Sequence, residues 1–236
     1  MNPILPILLL PLIAAAMLAI IPGYRAGARI NMAASGLGFL AALQLLWVRP
    51  EPGTYLLVDD LNTVFVLINT FVGFTASVFS ASYIGHEIEN GKLTPGYLRF
   101  YHAMYQFLLC SMSLSLVSNN IGVMWVALEF ATLTTVLMVG LYRTHEALEA
   151  AWKYFILGSV GIALALFGTI LVYLAAQPVM GEGIEAMVWT SLLRRVAEFD
   201  PALLNLAFIF LLVGYGTKVG LAPLHAWLPD AHAEGP

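Results

Sequence analysis

Residues 203–236 decide the fold and read LLNLAFIFLLVGYGTKVGLAPLHAWLPDAHAEGP. The apolar run that opens them is long enough, with its continuation, to cross the hydrocarbon core of a bilayer as a helix. Lys218 lies inside this predicted span, where a charged amine costs about 2.5–3.5 kcal/mol on insertion scales. Pro223 removes a backbone donor soon afterwards, so we expect this helix to break close to the lysine. A charge beside a broken helix is typical of ion pathways in membrane proteins.

Lys218 has a simpler interpretation, in which its long side chain extends along the helix and places the amine among the lipid headgroups. The surrounding sequence argues against this, because apolar residues continue on both sides of the lysine. The next polar residues, His225 and Asp230, follow about two helical turns or more later. We therefore interpret Lys218 as an amine inside the membrane.

The composition of the whole chain is that of a helical membrane protein. Of its 236 residues, 60% are hydrophobic and 10% are charged, whereas a soluble domain carries about 25% charged residues. The apolar runs are continuous and lack the period-two alternation of barrel strands, which predicts an all-α, polytopic transmembrane bundle. The net charge of −4 is spread over loops without a basic patch, so nucleic acid is not expected as a partner. Cys110 is the single cysteine, which excludes a disulfide within the chain.

Hydropathy divides the chain into about seven predicted spans separated by polar loops. Asp59 and Asp60 are expected to cap the third span. Residues 83–102 read as an aqueous loop whose aromatic residues lie at the membrane interface, with His102 beside them. Residues 175–201 predict a longer loop that contains an interfacial amphipathic helix. The predicted spans are residues 1–21, 30–48, 61–82, 103–117, 121–141, a sixth whose first turns contain Lys153, and the seventh that holds Lys218.

Lysine and arginine residues in the predicted loops are divided unequally between the two sides of the membrane. Cytoplasmic loops carry the excess of these residues, so we expect the richer side to be cytoplasmic. With seven spans, this places the N-terminus outside and residues 225–236 at the cytoplasmic end. The richer side holds Arg25, Arg29, Lys92, Arg99 and Arg143, and the other side holds Arg49, Arg194 and Arg195.

Three ionisable residues lie at predicted membrane depth on three consecutive spans: Glu129, Lys153 and Lys218. Glu129 has about nine apolar or small residues on each side, more than a carboxylate can snorkel across. Its favourable states are paired with a lysine or protonated, and we name Lys218 as the partner. When Glu129 turns away or is neutralised, the buried ammonium releases its proton more readily. This outlines a proton-translocating switch.

Other interpretations remain open for the charged residues. Glu129 can form a structural hydrogen bond to a neighbouring helix, and Lys153, near the entrance of its span, can snorkel. His225 and His232 can relay protons between Lys218 and water because histidine titrates near neutrality, or they can be solvated at the interface. The sequence carries no nucleotide-binding loop, metal cluster or nucleophilic triad. We therefore expect no cofactor in this chain and any redox chemistry outside it.

Three segments carry a resemblance to a known family: NNIGVMWVALEFATLTTVLMVGLYRT at residues 119–144, EAAWKYFILGSVGIALALFGTILVY at residues 149–173, and residues 210–236. They resemble the antiporter-like proton-translocating membrane subunits shared by respiratory complex I, Mrp antiporters and membrane-bound hydrogenases. Among these, the resemblance in sequence is strongest to hydrogenase-4 F subunits. The K-x-x-x-x-P-x-H-x-W-x-P-D-A-H run that starts at Lys218 is the most specific part. The resemblance covers about residues 59–236.

The resemblance implies roles for the same three charged residues. Glu129 corresponds to the glutamate of the family's fifth helix, Lys153 to the lysine of its sixth, and Lys218 to the lysine at its broken seventh helix. The implied partners are other membrane subunits of a complex I-like or hydrogenase complex and a soluble iron–sulfur arm. The implied location is the bacterial inner membrane.

The family fold consists of two inverted repeats of five helices in a chain about twice this length. The resemblance therefore implies that this chain is the N-terminal half of that fold. Residues 1–100 would form a three-helix membrane segment with its loop, and residues 101–236 helices four to seven of an incomplete first repeat. Such a half-channel is not expected to pump unaided. The alternatives are an Mrp-type cation/proton antiporter component, an ion-coupled bicarbonate-uptake subunit, or a scaffold whose buried charges only lock helices together.

Overall fold

The computed structural model of the protein describes residues 3–236, apart from the side chains at positions 95 and 98. Within this range the regular structure is helical, and extended pairing is confined to isolated bridges. The all-α prediction is therefore confirmed. The helices are α1 (Ile4–Ile20), α2 (Tyr24–Leu43), α3 (Asp60–Glu89), α4 (Pro95–Val117), α5 (Ile121–Val139), α6 (His145–Met180), α7 (Trp189–Arg195), α8 (Pro201–Val219) and α9 (Leu228–Glu234).

Five of these helices are long and apolar enough to cross a membrane: α2, α3, α5, α6 and α8. Helix α1 is apolar but shorter, and the first two residues of its predicted span lie outside the described part of the chain. Large apolar side chains point outward from the bundle, with Phe79, Val160 and Phe208 each more than half exposed. Such an apolar exterior suits lipid rather than water. The count of seven spans stays a prediction.

The predicted aqueous loop over residues 83–102 is wrong. Helix α3 continues to Glu89, and α4 begins at Pro95 after a short turn, with Thr94 accepting a hydrogen bond from the backbone N–H of Tyr97 at 3.4 Å. The aromatic residues of this stretch, among them Tyr101, pack into a core cluster with Leu141, which lies in the turn after α5. Polar and aromatic residues thus extend the helices, because tertiary packing covers their apolar parts.

The expectation that His102 lies at the interface is also wrong, since its side chain is 1% exposed. It packs against α2, where a Cβ added at Gly27 would lie 3.3 Å from the imidazole Cδ2. One turn further along α4, the Gln106 amide donates hydrogen bonds to Asn31 Oδ1 at 2.7 Å and Ser35 Oγ at 2.8 Å. A polar layer therefore joins α2 and α4 inside the bundle, at a depth that hydropathy alone does not reveal.

The predicted cap of the third span is confirmed for Asp59, whose carboxylate accepts a hydrogen bond from the backbone N–H of Asn62 at 2.8 Å.

The predicted loop over residues 175–201 is shorter than expected, because α6 continues to Met180. Its remainder contains α7, a helix of seven residues that buries Leu192. The side chain of Asn119 holds α7 in place and donates a hydrogen bond to Thr190 Oγ1 at 3.1 Å.

Helix α8 ends before the proline that was expected to break it. Its last residue is Val219, and Gly220 follows with φ of 83°, a left-handed conformation that glycine adopts without a Cβ clash. The Gly220 N–H donates to the carbonyl of Gly216 at 3.0 Å, which closes the last turn. Pro223 lies in the turn that follows, and the chain resumes as α9 at Leu228. The glycine therefore sets where this helix ends, next to Lys218.

Helices α6 and α8 pack closely against each other, and this contact depends on glycine. A Cβ at Gly214 would lie 2.5 Å from the backbone nitrogen of Ala165, and one at Gly161 would lie 2.7 Å from Thr217 Cβ. Helices approach this closely only where small residues face each other. Helix α6 therefore acts as the surface on which α8, and with it Lys218, is positioned.

We predict that Gly214→Ala destabilises the protein by about 1–3 kcal/mol, the cost of forcing an extra methyl group into a packed interface. The check is the unfolding midpoint of the purified protein in micelles. Gly38→Ala is the matched control, because a Cβ at this helical glycine meets nothing within 4 Å. Equal midpoints for the two variants would contradict the assigned packing.

Candidate functional site

Glycines on α6 also let α5 approach closely. A Cβ at Gly158 would lie 3.2 Å from Thr132 Cγ2 of α5. Gly158 and Gly161 are three residues apart, so they share one face of α6 and serve α5 and α8 respectively. The side chain of Lys218 can consequently reach Thr132, which is 86 residues away in sequence.

The Lys218 amine is held by neutral groups. Its Nζ donates hydrogen bonds to Thr132 Oγ1 at 2.7 Å and to the Tyr154 hydroxyl at 3.2 Å. It also lies 5.6 Å from the centre of the Tyr154 ring, within range of a cation–π interaction. The Thr132 hydroxyl donates to the carbonyl of Leu128 at 2.9 Å, which leaves its lone pairs to accept from the amine. Lys218 is partly buried, and the alternative of a freely snorkelling side chain does not describe this geometry.

Glu129 lies one turn before Thr132 on α5, and Lys218 is near enough to act on its carboxylate through its charge. The two groups do not form a direct ion pair, because the ion pairs within 4.0 Å among the described residues do not include them. Glu129 Oε2 is shielded from solvent and has no hydrogen-bond partner among those residues. The predicted contact is thus replaced by proximity: the threonine hydroxyl takes the position next to the amine.

Tyr154 connects the amine to a second hydroxyl, and sequence reasoning missed it. Its hydroxyl lies 2.8 Å from Thr135 Oγ1, and its ring stacks on Trp227 with 4.5 Å between the ring centres. The indole of Trp227 in turn donates to the carbonyl of Thr217 at 2.9 Å. The tyrosine directly after Lys153 and the three threonines that follow Glu129 on α5 were visible as a signal. Their meeting at Lys218 was not, because it depends on the packing of three helices.

Lys153 lies on an exposed side of α6. Its Nζ forms ion pairs with Glu149 Oε1 at 2.7 Å and Asp230 Oδ2 at 2.8 Å. The Asp230 contact links α9 to α6 across 77 residues of sequence. Lys153 is therefore satisfied by two carboxylates, a set of partners that sequence reasoning did not identify.

The two candidate histidines are exposed and lie in different settings. His225 belongs to the turn between α8 and α9, where its carbonyl accepts a hydrogen bond from Leu228 at 3.0 Å. His232 lies on α9 and lines a cavity of about 230 Å³ together with Thr135 and Tyr154. The hydroxyl pair next to Lys218 therefore borders a space that His232 shares.

The described part of the chain, residues 3–236, contains no group of three or more histidine, cysteine or acidic side chains placed to hold a metal ion. Its site consists of one amine, one carboxyl group and several hydroxyls. Such a set can bind, hold and pass protons, and its chemistry is that of hydrogen bonds and charge.

Several known membrane proteins are similar in sequence to this chain. The family described as NADH:quinone oxidoreductase/Mrp antiporter, TM, matches residues 118–236. A hydrogenase-4 component F homolog from Methylacidiphilum infernorum (isolate V4) is 59% identical over 230 residues, which are 98% of this chain and 48% of that protein. NADH-quinone oxidoreductase subunit N from Halorhodospira halophila (strain DSM 244 / SL1) is 30% identical over 184 residues, 76% of this chain and 34% of that protein.

A solved structure shares the fold. A chain of respiratory complex I from Thermus thermophilus, solved with bound aureothin, superimposes with a TM-score of 0.75 at 26% identity and covers 99% of this chain and 48% of its own. The present chain thus spans about half the length of that chain and of the hydrogenase-4 relative. Because the family match covers half of the chain and includes Glu129, Lys153 and Lys218, the chain belongs to the NADH:quinone oxidoreductase/Mrp antiporter family of membrane subunits.

Proposed function

We propose that this chain is the proton-translocating part of an antiporter-like membrane subunit in a respiratory oxidoreductase complex. Protons pass through Glu129 and Lys218, and the energy comes from electron transfer in partner subunits. The observation that carries the proposal is the placement of the Lys218 amine against neutral hydroxyls, next to a carboxyl group without a hydrogen-bond partner among the described residues.

The switch rests on how weakly neutral groups stabilise a charge in a medium of low dielectric constant. Hydroxyl oxygens hold the ammonium of Lys218 by hydrogen bonds, but a carboxylate beside it adds a Coulomb attraction that water does not screen. Thr132 lies one helical turn further along α5, so a rotation of the Glu129 side chain toward Thr132 changes that attraction. The amine keeps its proton when the carboxylate is near and gives it up when the carboxylate is protonated or turns away.

The hydroxyls of Tyr154 and Thr135 supply the exit route. The distances from Lys218 Nζ to the Tyr154 hydroxyl (3.2 Å) and from there to Thr135 Oγ1 (2.8 Å) are both those of hydrogen bonds. Hydroxyls donate and accept at once, so they can pass a proton along such a chain. The cavity shared with His232 then receives it, and a ring nitrogen of the imidazole can accept a proton there.

Lys153 and His225 enter the proposal at the aqueous end of the route. Lys153, the residue before Tyr154, forms ion pairs with Glu149 and Asp230. His225 is exposed in the turn after α8. His225 can exchange protons with water. Lys153, by contrast, is held as an ammonium by its two ion pairs and fixes the carboxylates of Glu149 and Asp230. We assign His225 and this charged group to proton collection rather than to the switch itself.

The larger architecture follows the family. We infer that residues 1–100 form the three-helix membrane segment and residues 101–236 helices four to seven of the first repeat, with α8 and α9 as the two parts of a broken seventh helix. The complex lies in the bacterial inner membrane with the N-terminus of the chain outside. The partners are further membrane subunits and a soluble iron–sulfur arm, which holds the redox centres. The family match, the relatives named as hydrogenase and NADH-quinone oxidoreductase components, and the complex I structure support these assignments.

A second candidate is a cation/proton antiporter component, because the description of the family includes Mrp antiporters. The two candidates differ in what drives the protons. A redox-coupled subunit moves protons only while electrons flow, whereas an antiporter moves them when a sodium gradient is imposed. Proton uptake in vesicles under each condition separates them, and the same measurement applied with bicarbonate tests an uptake subunit.

We predict that Glu129→Gln and Lys218→Ala each abolish coupled proton uptake by the assembled complex in membrane vesicles. Electron transfer measured with a soluble acceptor is retained, because the redox centres lie in other subunits. Glu146→Gln, an exposed carboxyl group in the first turn of α6, is the matched control and leaves uptake unchanged. Wild-type uptake in Glu129→Gln would end the proposal. Loss of assembly on a native gel, with normal uptake per assembled complex, would favour the scaffold interpretation.

We predict that Tyr154→Phe lowers the rate of proton uptake at least about tenfold, because it removes a proton-relaying hydroxyl while the ring still stacks on Trp227. Tyr105→Phe is the matched control, since it removes a buried hydroxyl that bonds the carbonyl of Gly73, away from the site. Stopped-flow measurement of vesicle pH reports the rate. Equal rates in the two variants would show that the proton leaves Lys218 by another route.

A further inference from the structure

A groove of about 610 Å³ lies between α4, α5 and α6, at the end of the bundle opposite α7. Aromatic and aliphatic side chains form most of its lining, and Leu137 and Trp152 are 49% and 60% exposed. Its volume is that of typical small-molecule sites, about 300–1,000 Å³. The residues that matter here are Tyr97, Phe100, Leu137, Trp152, Phe155 and Arg143.

Arg143 is the one charged side chain among the residues that line this groove. It forms no ion pair within 4.0 Å with a carboxylate of the described chain. The guanidinium lies 5.0 Å from the centre of the Tyr97 ring, so a cation–π contact holds it at the edge of the groove. The groove thus combines an apolar interior with a single uncompensated cation.

The backbone at Arg143 indicates that the side chain matters. Its φ is 55°, the left-handed conformation, in the turn between α5 and α6. Glycine adopts this conformation without steric cost and is the usual residue at such a helix end, whereas a side chain with a Cβ is strained there. An arginine at this position therefore keeps a cation at the groove where the fold itself favours glycine.

We propose that this groove binds an anionic glycerophospholipid, with an acyl chain along the apolar lining and the phosphate on Arg143. The groove opens on the sides of α5 and α6, two helices of membrane-spanning length, so acyl chains are the apolar ligands present there. The guanidinium offers parallel N–H donors that match a phosphate, and its net charge selects a lipid of net negative charge. This inference stands apart from the proton route, because it uses none of the groups around Lys218.

Tryptophan quenching by brominated lipids tests the proposal, because Trp152 lines the groove. The full-length protein is reconstituted in phosphatidylcholine with increasing fractions of phosphatidylglycerol, either lipid carrying brominated acyl chains. The signal of Trp152 is the difference between the wild type and Trp152→Phe. We expect phosphatidylglycerol to compete for the Trp152 site about fivefold better than phosphatidylcholine. This factor corresponds to the attraction between one basic residue and an anionic lipid surface.

Three variants decide the role of the arginine. Arg143→Gly removes the cation and the backbone strain together, so the preference disappears while the unfolding temperature is not lowered. Arg143→Lys retains most of the preference. Arg194→Gln removes an exposed cation that does not line the groove and leaves the preference unchanged.

Three results would overturn the proposal. Equal quenching by the two lipids in the wild type would mean ordinary annular lipid. A preference that survives Arg143→Gly would place the anionic lipid elsewhere. A Trp152 that neither lipid quenches would mean that another part of the protein or a partner subunit covers the groove.

Discussion

The ammonium of Lys218 is partly buried where three helices meet, and it depends on partners that the surrounding structure supplies. In hydrocarbon a charged amine has no partners other than those the protein supplies. Here Thr132 and Tyr154 supply hydroxyl oxygens and the face of an aromatic ring. These groups lie on two helices other than the one that carries the lysine. That dependence therefore fixes the relative positions of α5, α6 and α8.

Small residues make that arrangement possible. The contact of Gly161 with Thr217 and that of Gly158 with Thr132 bring three backbones within reach of a single lysine side chain. Interhelical packing of this kind is the main source of association inside a bilayer, since the lipid removes any hydrophobic advantage. The same helix, α6, also extends well beyond hydrocarbon thickness, because its 36 residues span about 54 Å. Its early turns carry Lys153 and its exposed ion pairs.

The neutral partners of Lys218 give the site a property that a direct ion pair would lack. A closed ion pair is held by a strong Coulomb attraction and opens at high cost in low dielectric. Hydroxyls bind the amine well enough to position it, yet they leave Glu129 free to add or withdraw its charge. A loosely coupled carboxyl group and amine suit repeated proton loading and release better than a locked pair. Proximity without contact is thus the feature on which the proposed function depends.

The sequence by itself determined the class of fold and singled out the charged residues of the candidate site, because both follow from local properties of the chain. Continuous apolar runs that are long enough to cross the hydrocarbon core of a bilayer require helices. Glu129 and Lys218 stand out because burying a charge among apolar residues is costly. The helix ends were harder. Polar stretches such as residues 83–102 become helical once tertiary packing covers them. Only the tertiary structure decided that Lys218 meets Thr132 and Tyr154 and that Lys153 meets Asp230, since these partners lie 64 to 86 residues apart. Such contacts depend on how three helices rotate and cross against one another, which no local pattern of residues encodes.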